Sequence, residues 1–238
     1  LGVNIKFPSD FTQSPYSIIA TAVNALPQKV AFPFSLINSP ATHFEGISPA
    51  YNEIMPGWVL SDNIFTVRRN EGKYKKRNKA KRSNIVVEVF RPEIVDMMVD
   101  ARSRLQVSET KDVYSSRDIQ GLGKNYLQEA SRKKAIESYT FYIKYYGLMG
   151  LKKKIAEIGK GNGILSQETD DPRWEHERAI LIAEFGKEAN AKELLKTLIE
   201  MQEKIASDVQ VSKEKDDKRG ARTIEDYPQA HAPASDDS

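Results

Sequence analysis

The chain is 238 residues long, 39% hydrophobic and 29% charged, with a net charge of +3, three histidines and no cysteine. Such a chain can bury a sizeable core in one or two domains plus a tail. It excludes disulfides, thiolate metal centres and thiol catalysis, fits a cytoplasmic address, and lacks any apolar run near the roughly 20 residues of a membrane span.

The sequence opens LGVNIKFPSD, with no Met and without the basic flank and apolar core of a secretory signal. It reads as the interior of folded sequence, so the chain is expected to be a C-terminal fragment or a processed product. Through Asn38 the runs IKF, YSIIATAV and KVAFPFSLI are rich in β-branched and aromatic residues. Pro8, Pro15, Pro27 and Pro33 disfavour helix throughout. Ile5, Phe11 and Val23 keep a loose six-residue spacing, broken at Ser17 and resumed at Val30 and Leu36 after a one-residue slip. A left-handed parallel β-helix requires that period, because each side of its triangular coil takes about six residues and turns one aliphatic side chain inward.

Residues 39–57 read as a loop-rich connector with Pro40, Pro49 and Pro56. From Trp58 to about Arg82, the spacing of Trp58, Ile64 or Phe65, Val67 and Tyr74 predicts a helix that fades into a charged end. NIVVEVF, residues 84–90, predicts a short strand, and everything beyond it predicts helix. Pro92 opens the first of these helices, with Ile94, Val95, Met98, Ala101 and Leu105 buried. The next, 124–146, holds a tyrosine-rich patch from Tyr139 to Tyr146 that reads as core. Gly147 and Gly150 are expected to kink or end it before a shorter piece to Ile158. GLGKN (121–125) lacks the GK[ST] element of a phosphate loop, and GKGNG (159–163) reads as a helix connector. Asp171 and Pro172 start a further helix in the cap-then-proline order, burying Trp174, Leu181, Ile182 and Phe185. The last helix has the most regular stripe: Ala191, Leu194, Leu195, Leu198, Met201 and Ile205. Residues 208–238 carry five basic and eight acidic side chains and predict a disordered tail.

KFPSDFTQSPYSIIATAVNALPQKVAFPFSLI, followed by MPGW, DNIF, RRNEGKYKKRNKAKR and VFRPEIVDMM, resembles an uncharacterised bacterial family of large proteins. In that family an N-terminal left-handed β-helix of hexapeptide repeats, similar to sugar-nucleotide acyltransferases, precedes a helical C-terminal region. The resemblance covers about Leu1 to Leu105. It implies that this chain holds the last coil or two of the β-helix, its cap and the appended helices. Hexapeptide acyltransferases commonly use a loop histidine as base, and His43 is the candidate nearest that region; a solvent-exposed loop imidazole is the expected reading.

Nine Lys or Arg face a single Glu71 between Arg68 and Arg82. On a helix, Arg69, Lys73, Lys76 and Arg77 fall along one side with Tyr74 near enough to stack, a surface suited to phosphate. Three readings stay open: a solvated face with Arg68 and Arg69 paired to carboxylates such as Glu88 or Glu93, a small phosphorylated ligand, or nucleic acid. Asn63 and Asn70 lie two turns apart, placed either to contact a ligand or to cap exposed backbone at the end of a β-helix. Asp170 and Asp171, before Pro172, read as a helix cap rather than a metal pair.

The expected fold is α+β and mostly α: terminal β-helix coils and cap over 1–38, a connector with the basic helix over 39–90, a helical domain over 91–207, and the tail. The expected role is a non-catalytic capping and assembly portion of a hexapeptide-repeat, transferase-like protein, contributing to a site for a nucleotide sugar or another phosphorylated molecule. Such proteins are commonly trimers. The alternative is a helical module binding nucleic acid or an acidic partner through residues 68–82. The sequence identifies no cofactor, metal or catalytic residue.

Overall fold

Residues 14–19 read SPYSII and residues 32–37 read FPFSLI, a repeat that shows its meaning in the fold. The computed structural model describes residues 4–82, 86–159, 163–167 and 169–227. It divides into two compact units: Leu1–Leu60 with Pro92–Lys144, and Ser61–Arg91 with Tyr145–Ser238. Of the boundaries expected at residues 38, 90 and 207, the one at 90 lies beside the passage between units at Arg91 and Pro92, while 38 and 207 fall within a unit.

In the first unit, β1 (Asn4–Ile5), β2 (Ile18–Ile19), β3 (Asn24–Ala25) and β4 (Leu36–Asn38) are short extended pieces. They pair in parallel. Asn4 lies opposite Asn24, Asp10 opposite Lys29 and Ile18 opposite Leu36, separations of 20, 19 and 18 residues. The two halves of the repeat thus stack one above the other. Tyr16 and Phe34, at equivalent positions, both adopt left-handed backbone (φ 58° and 57°), and their rings stack at 5.1 Å. Bulky residues rarely adopt that conformation, so each marks a tight corner held by its surroundings. The Phe34 N–H donates to the Pro15 carbonyl at 2.9 Å, while the Ser14 and Ser35 hydroxyls both donate to the Phe32 carbonyl, at 2.6 and 2.7 Å. Val23, Ala25, Val30, Phe32 and Ile37 are buried. Of the spaced positions, Val23 and Val30 are core, whereas Ile5, Phe11 and Leu36 are half-buried.

The parallel order stops at β5 (Asn52–Met55), which runs antiparallel along β4 with Ile37 opposite Ile54. This strand falls in the expected loop-rich connector. β6 (Val113–Tyr114) and β7 (Asn125–Gln128) complete a five-stranded sheet in the order β2-β4-β5-β7-β6, with β5 and β7 parallel. β7 lies at the start of the helix expected over 124–146, and no strand was expected at β6. Among the described residues no sheet closes on itself as a left-handed β-helix would.

The basic segment forms two helices, α1 (Trp58–Asp62) and α2 (Ile64–Arg77), broken at Asn63. The strand expected over 84–90 is not formed at 86–90, and residues 83–85 lie outside the described residues. α3 (Pro92–Leu105) buries the five expected residues. α4 (Glu129–Ile158) is continuous through both glycines, contributing its first half to the first unit and its second to the other. In the first unit, Tyr139 of α4 is wholly buried and donates to the Pro33 carbonyl at 2.7 Å; burial pushes its hydroxyl pKa up.

In the second unit the glycines of α4 explain its continuity. α5 (Pro172–Phe185) crosses where Gly147 meets Leu181 and Gly150 meets Glu177, an approach a side chain would block. Asp171 caps α5, accepting from the backbone N–H groups of Arg173 and Trp174 at 3.0 and 3.2 Å, as expected. α6 (Ala191–Ala221), capped by Asn190, packs on α2 and extends well beyond its apolar stripe. The order at 208–221 corrects the expectation of disorder from residue 208. Polar partners continue the helix: Ser212 donates to the Asp62 carbonyl at 3.2 Å, and the buried Lys213 ammonium lies over the Phe65 ring and pairs with Asp217. Residues 228–238 of the expected tail lie outside the described residues, as do 160–162 of the GKGNG connector.

Candidate functional site

The basic helix presents two faces with different fates. Arg69, Lys73, Lys76 and Arg77 do fall on one side of α2, but they do not converge. The Arg69 guanidinium lies 5.4 Å over the Phe65 ring, with its Nε buried and making no hydrogen bond. Lys73 is half-buried, whereas Lys76 and Arg77 are exposed in the last turn, where positive charge favours the negative end of the helix dipole. The Tyr74 hydroxyl is buried and makes no hydrogen bond, and the residue as a whole is half-buried. Asn63 accepts a hydrogen bond from Thr66 Oγ1 at 2.7 Å, and Asn70 is exposed. The polar clasp on strand backbone comes from Asn52, whose Nδ2 donates to the Asn24 carbonyl at 3.1 Å in the first unit. His43 is exposed in the loop between β4 and β5, as expected.

The opposite face of α2, carrying Arg68, Glu71 and Lys75, borders a cleft of about 580 Å³ in the second unit. Phe90, Tyr145 and Tyr146 supply aromatic walls, and Lys153, Arg173 and Glu177 complete its charged lining. Arg68 donates to the Tyr145 hydroxyl at 3.4 Å and lies 3.9 Å from Glu71, which also holds Lys75 at 2.9 Å. Arg68 thus pairs with Glu71 rather than with Glu88 or Glu93.

The most buried charged group of the lining is Glu177, only 6% exposed. Burial pushes its carboxyl above the usual carboxylate range, opposed by the hydrogen bond from Arg173 Nε at 2.6 Å. Arg173 also grips Glu88 through both terminal nitrogens, at 3.2 and 2.7 Å, and lies 5.1 Å over the Tyr146 ring. Desolvation works against its charge, but the two carboxylates outweigh it and keep the guanidinium protonated. A Glu–Arg–Glu chain anchored over an aromatic ring fixes the orientation of α5 against residues 88–90 and α4. Shifted groups in a cleft are also the ordinary mark of a functional site. Here both carboxylates engage the same guanidinium, so the geometry serves structure first.

Sequence reasoning missed this cleft because its residues come from four separated segments. The spacing 68, 71, 75 was available as an i, i+3, i+7 stripe, but the stronger cluster of charge drew attention to the other side. No group of three or more potential metal ligands gathers among the described residues, and no described helix is long and apolar enough to cross a membrane. No protein-family model, curated protein or solved structure matches the chain.

Proposed function

We propose that this chain is the closing, non-catalytic portion of a hexapeptide-repeat, transferase-like protein. In this reading the first 38 residues are two rungs of a left-handed parallel β-helix, β5 and β7 form the cap, and the helices serve assembly, as a trimer by analogy with other hexapeptide proteins. One observation carries the proposal: three successive parallel pairings at separations of 20, 19 and 18 residues, ended by the antiparallel β5. Three sides of about six residues make one coil of that length. An antiparallel strand along the last rung satisfies backbone groups that would otherwise stay open at the end of the stack.

The other edge supplies the test. The N–H groups of Asn4, Lys6, Ile18 and Ala20 donate to the following rung. Strand alternation turns those of Ile5 and Ile19 the opposite way. Amide hydrogen exchange on a chain extended with the upstream coil that this reading requires is expected to show new protection at Ile5 and Ile19. The added sequence is expected to continue the six-residue spacing. Unchanged exchange at both amides, with no such spacing, overturns the proposal.

A second reading is supported by the exposure of every residue from Lys75 to Arg82. That stretch suits an acidic partner or nucleic acid, and binding of that kind weakens steeply with salt.

A further inference from the structure

A second cleft, of about 610 Å³, lies wholly within the first unit, between the 27–31 rung, α3 and the loop before β7. Its charged lining consists of Lys29, Arg104, Lys124 and Asp100, so cations outnumber the acid three to one. The acid is already engaged. Arg104 Nε and Nη2 lie 3.0 and 2.8 Å from the Asp100 carboxylate, and the same guanidinium donates to the Gln120 and Ala31 carbonyls at 2.7 and 2.6 Å. Arg104 is therefore a fixed wall. Lys29 and Lys124 are the adaptable charges, since the Lys29 contact with Asp10 is 3.6 Å long and exposed on both sides.

Gln28 is the feature that points to a ligand. It lines this cleft and is 7% exposed. Its Oε1 accepts from the Lys124 backbone N–H at 2.9 Å and from Asn125 Nδ2 at 2.8 Å. Two donors on one atom fix the amide orientation, because a flipped NH₂ would oppose both. Nε2 then holds two buried protons with no protein acceptor. The loop enforces this arrangement: Gly123 has φ of 67°, and a Cβ there would sit 2.6 Å from Gln28 Oε1 and 2.9 Å from the Lys29 carbonyl. A buried donor left unmade is costly, and native proteins rarely keep one without a use.

We infer that this cleft binds the phosphoryl group of a small molecule, Gln28 Nε2 donating to a phosphoryl oxygen while Lys29 and Lys124 balance its charge. A volume in this range accommodates a ligand of nucleotide size, and Tyr51 is the aromatic residue of the lining. This site is separate from the basic run on α2, and it does not depend on the cap proposed above, since all its residues belong to one folded unit.

The test uses the whole chain and inorganic pyrophosphate as probe, followed by calorimetry and by the side-chain amide NMR signal of Gln28. Saturable binding that shifts this signal is expected. The double variant Lys29→Ala/Lys124→Ala, at exposed positions, is expected to weaken binding at least tenfold, and Gln28→Glu, which keeps the Oε1 acceptor but removes the donor, to abolish it. Lys76→Ala/Arg77→Ala on α2 is expected to bind as the parent does. The inference fails if pyrophosphate does not bind, if the Gln28 signal stays unmoved (an ordered water being its only acceptor), or if the α2 variant loses the binding instead. It fails equally if a short single-stranded oligonucleotide binds while pyrophosphate does not. Should Gln28→Glu not fold, the lysine variant and the amide signal still decide the matter.

Discussion

Gly150 is a residue whose identity is set by one neighbour. A methyl at its Cα would overlap the Glu177 carboxyl group. Glycine inside a helix costs about 1 kcal/mol relative to alanine, while overpacking a close helix crossing costs roughly 1–3 kcal/mol. The second effect wins at this position. Gly150→Ala is expected to lower stability by up to about 2 kcal/mol in urea unfolding, and the same change in a Glu177→Gly background, which removes the Cβ 2.7 Å away as well as the carboxyl group, to be neutral or stabilising. If alanine destabilises both backgrounds equally, the close approach is not what selects glycine. Tyr16 and Phe34 show the same logic in the first unit. They hold a backbone region usually left to glycine, because their stacked rings fix two corners at once.

At the scale of elements, α3 is held to α4 by a charged clamp within the first unit. Arg132, buried, donates to the last carbonyl of α3, Leu105, at 2.6 Å, and reaches both oxygens of Glu129 at 2.6 and 2.8 Å. Tyr114 adds a hydrogen bond at 2.8 Å. The Arg132 hydrogen bonds, chief among these influences, hold the Glu129 carboxyl down at about 2, against an ordinary value of 4.5. A carboxylate whose pKa is lower when folded contributes stability in full above its unfolded value, and loses it as pH falls through the folded one. Thermal stability is thus expected to fall from about pH 4.5 downward toward pH 2, and Glu129→Gln to remove much of that dependence while lowering stability at neutral pH. Parallel acid profiles for the two proteins would contradict the clamp. The elements also show what a sequence carries locally. Pro92 and the Ile94–Leu105 spacing made α3 legible, as Asp171–Pro172 did for α5. β5 and β7, NEIM and NYLQ, were not, because neither alternates cleanly and each is a strand only through its neighbours in the sheet. The far half of α6 was hidden for a related reason: its stabilising contacts are polar, and their partners lie at residues 62 and 65.

For the molecule as a whole, the first unit joins short parallel-paired segments and a reversed strand to α3 and the first half of α4, and the second is a set of helices around a charged cleft. The extended, non-helical course of residues 4–38 was legible through the prolines, whereas the six-residue spacing was a poor guide, since of its positions only Val23 and Val30 are core. The sharper signal, SPYSII over FPFSLI, escaped a search keyed to aliphatic residues, since proline, serine and a left-handed aromatic carry the register. The clefts were not legible. Gln28 meets Lys124 across 96 residues, and no local pattern announces such a meeting. Nuclear Overhauser contacts between backbone protons of residues 4–38 would test the stacking most directly. Parallel rungs predict that paired residue numbers keep a near-constant difference, as in Asn4 with Asn24, Asp10 with Lys29 and Ile18 with Leu36. Pairs whose numbers instead keep a constant sum would mean antiparallel hairpins, and would contradict the account.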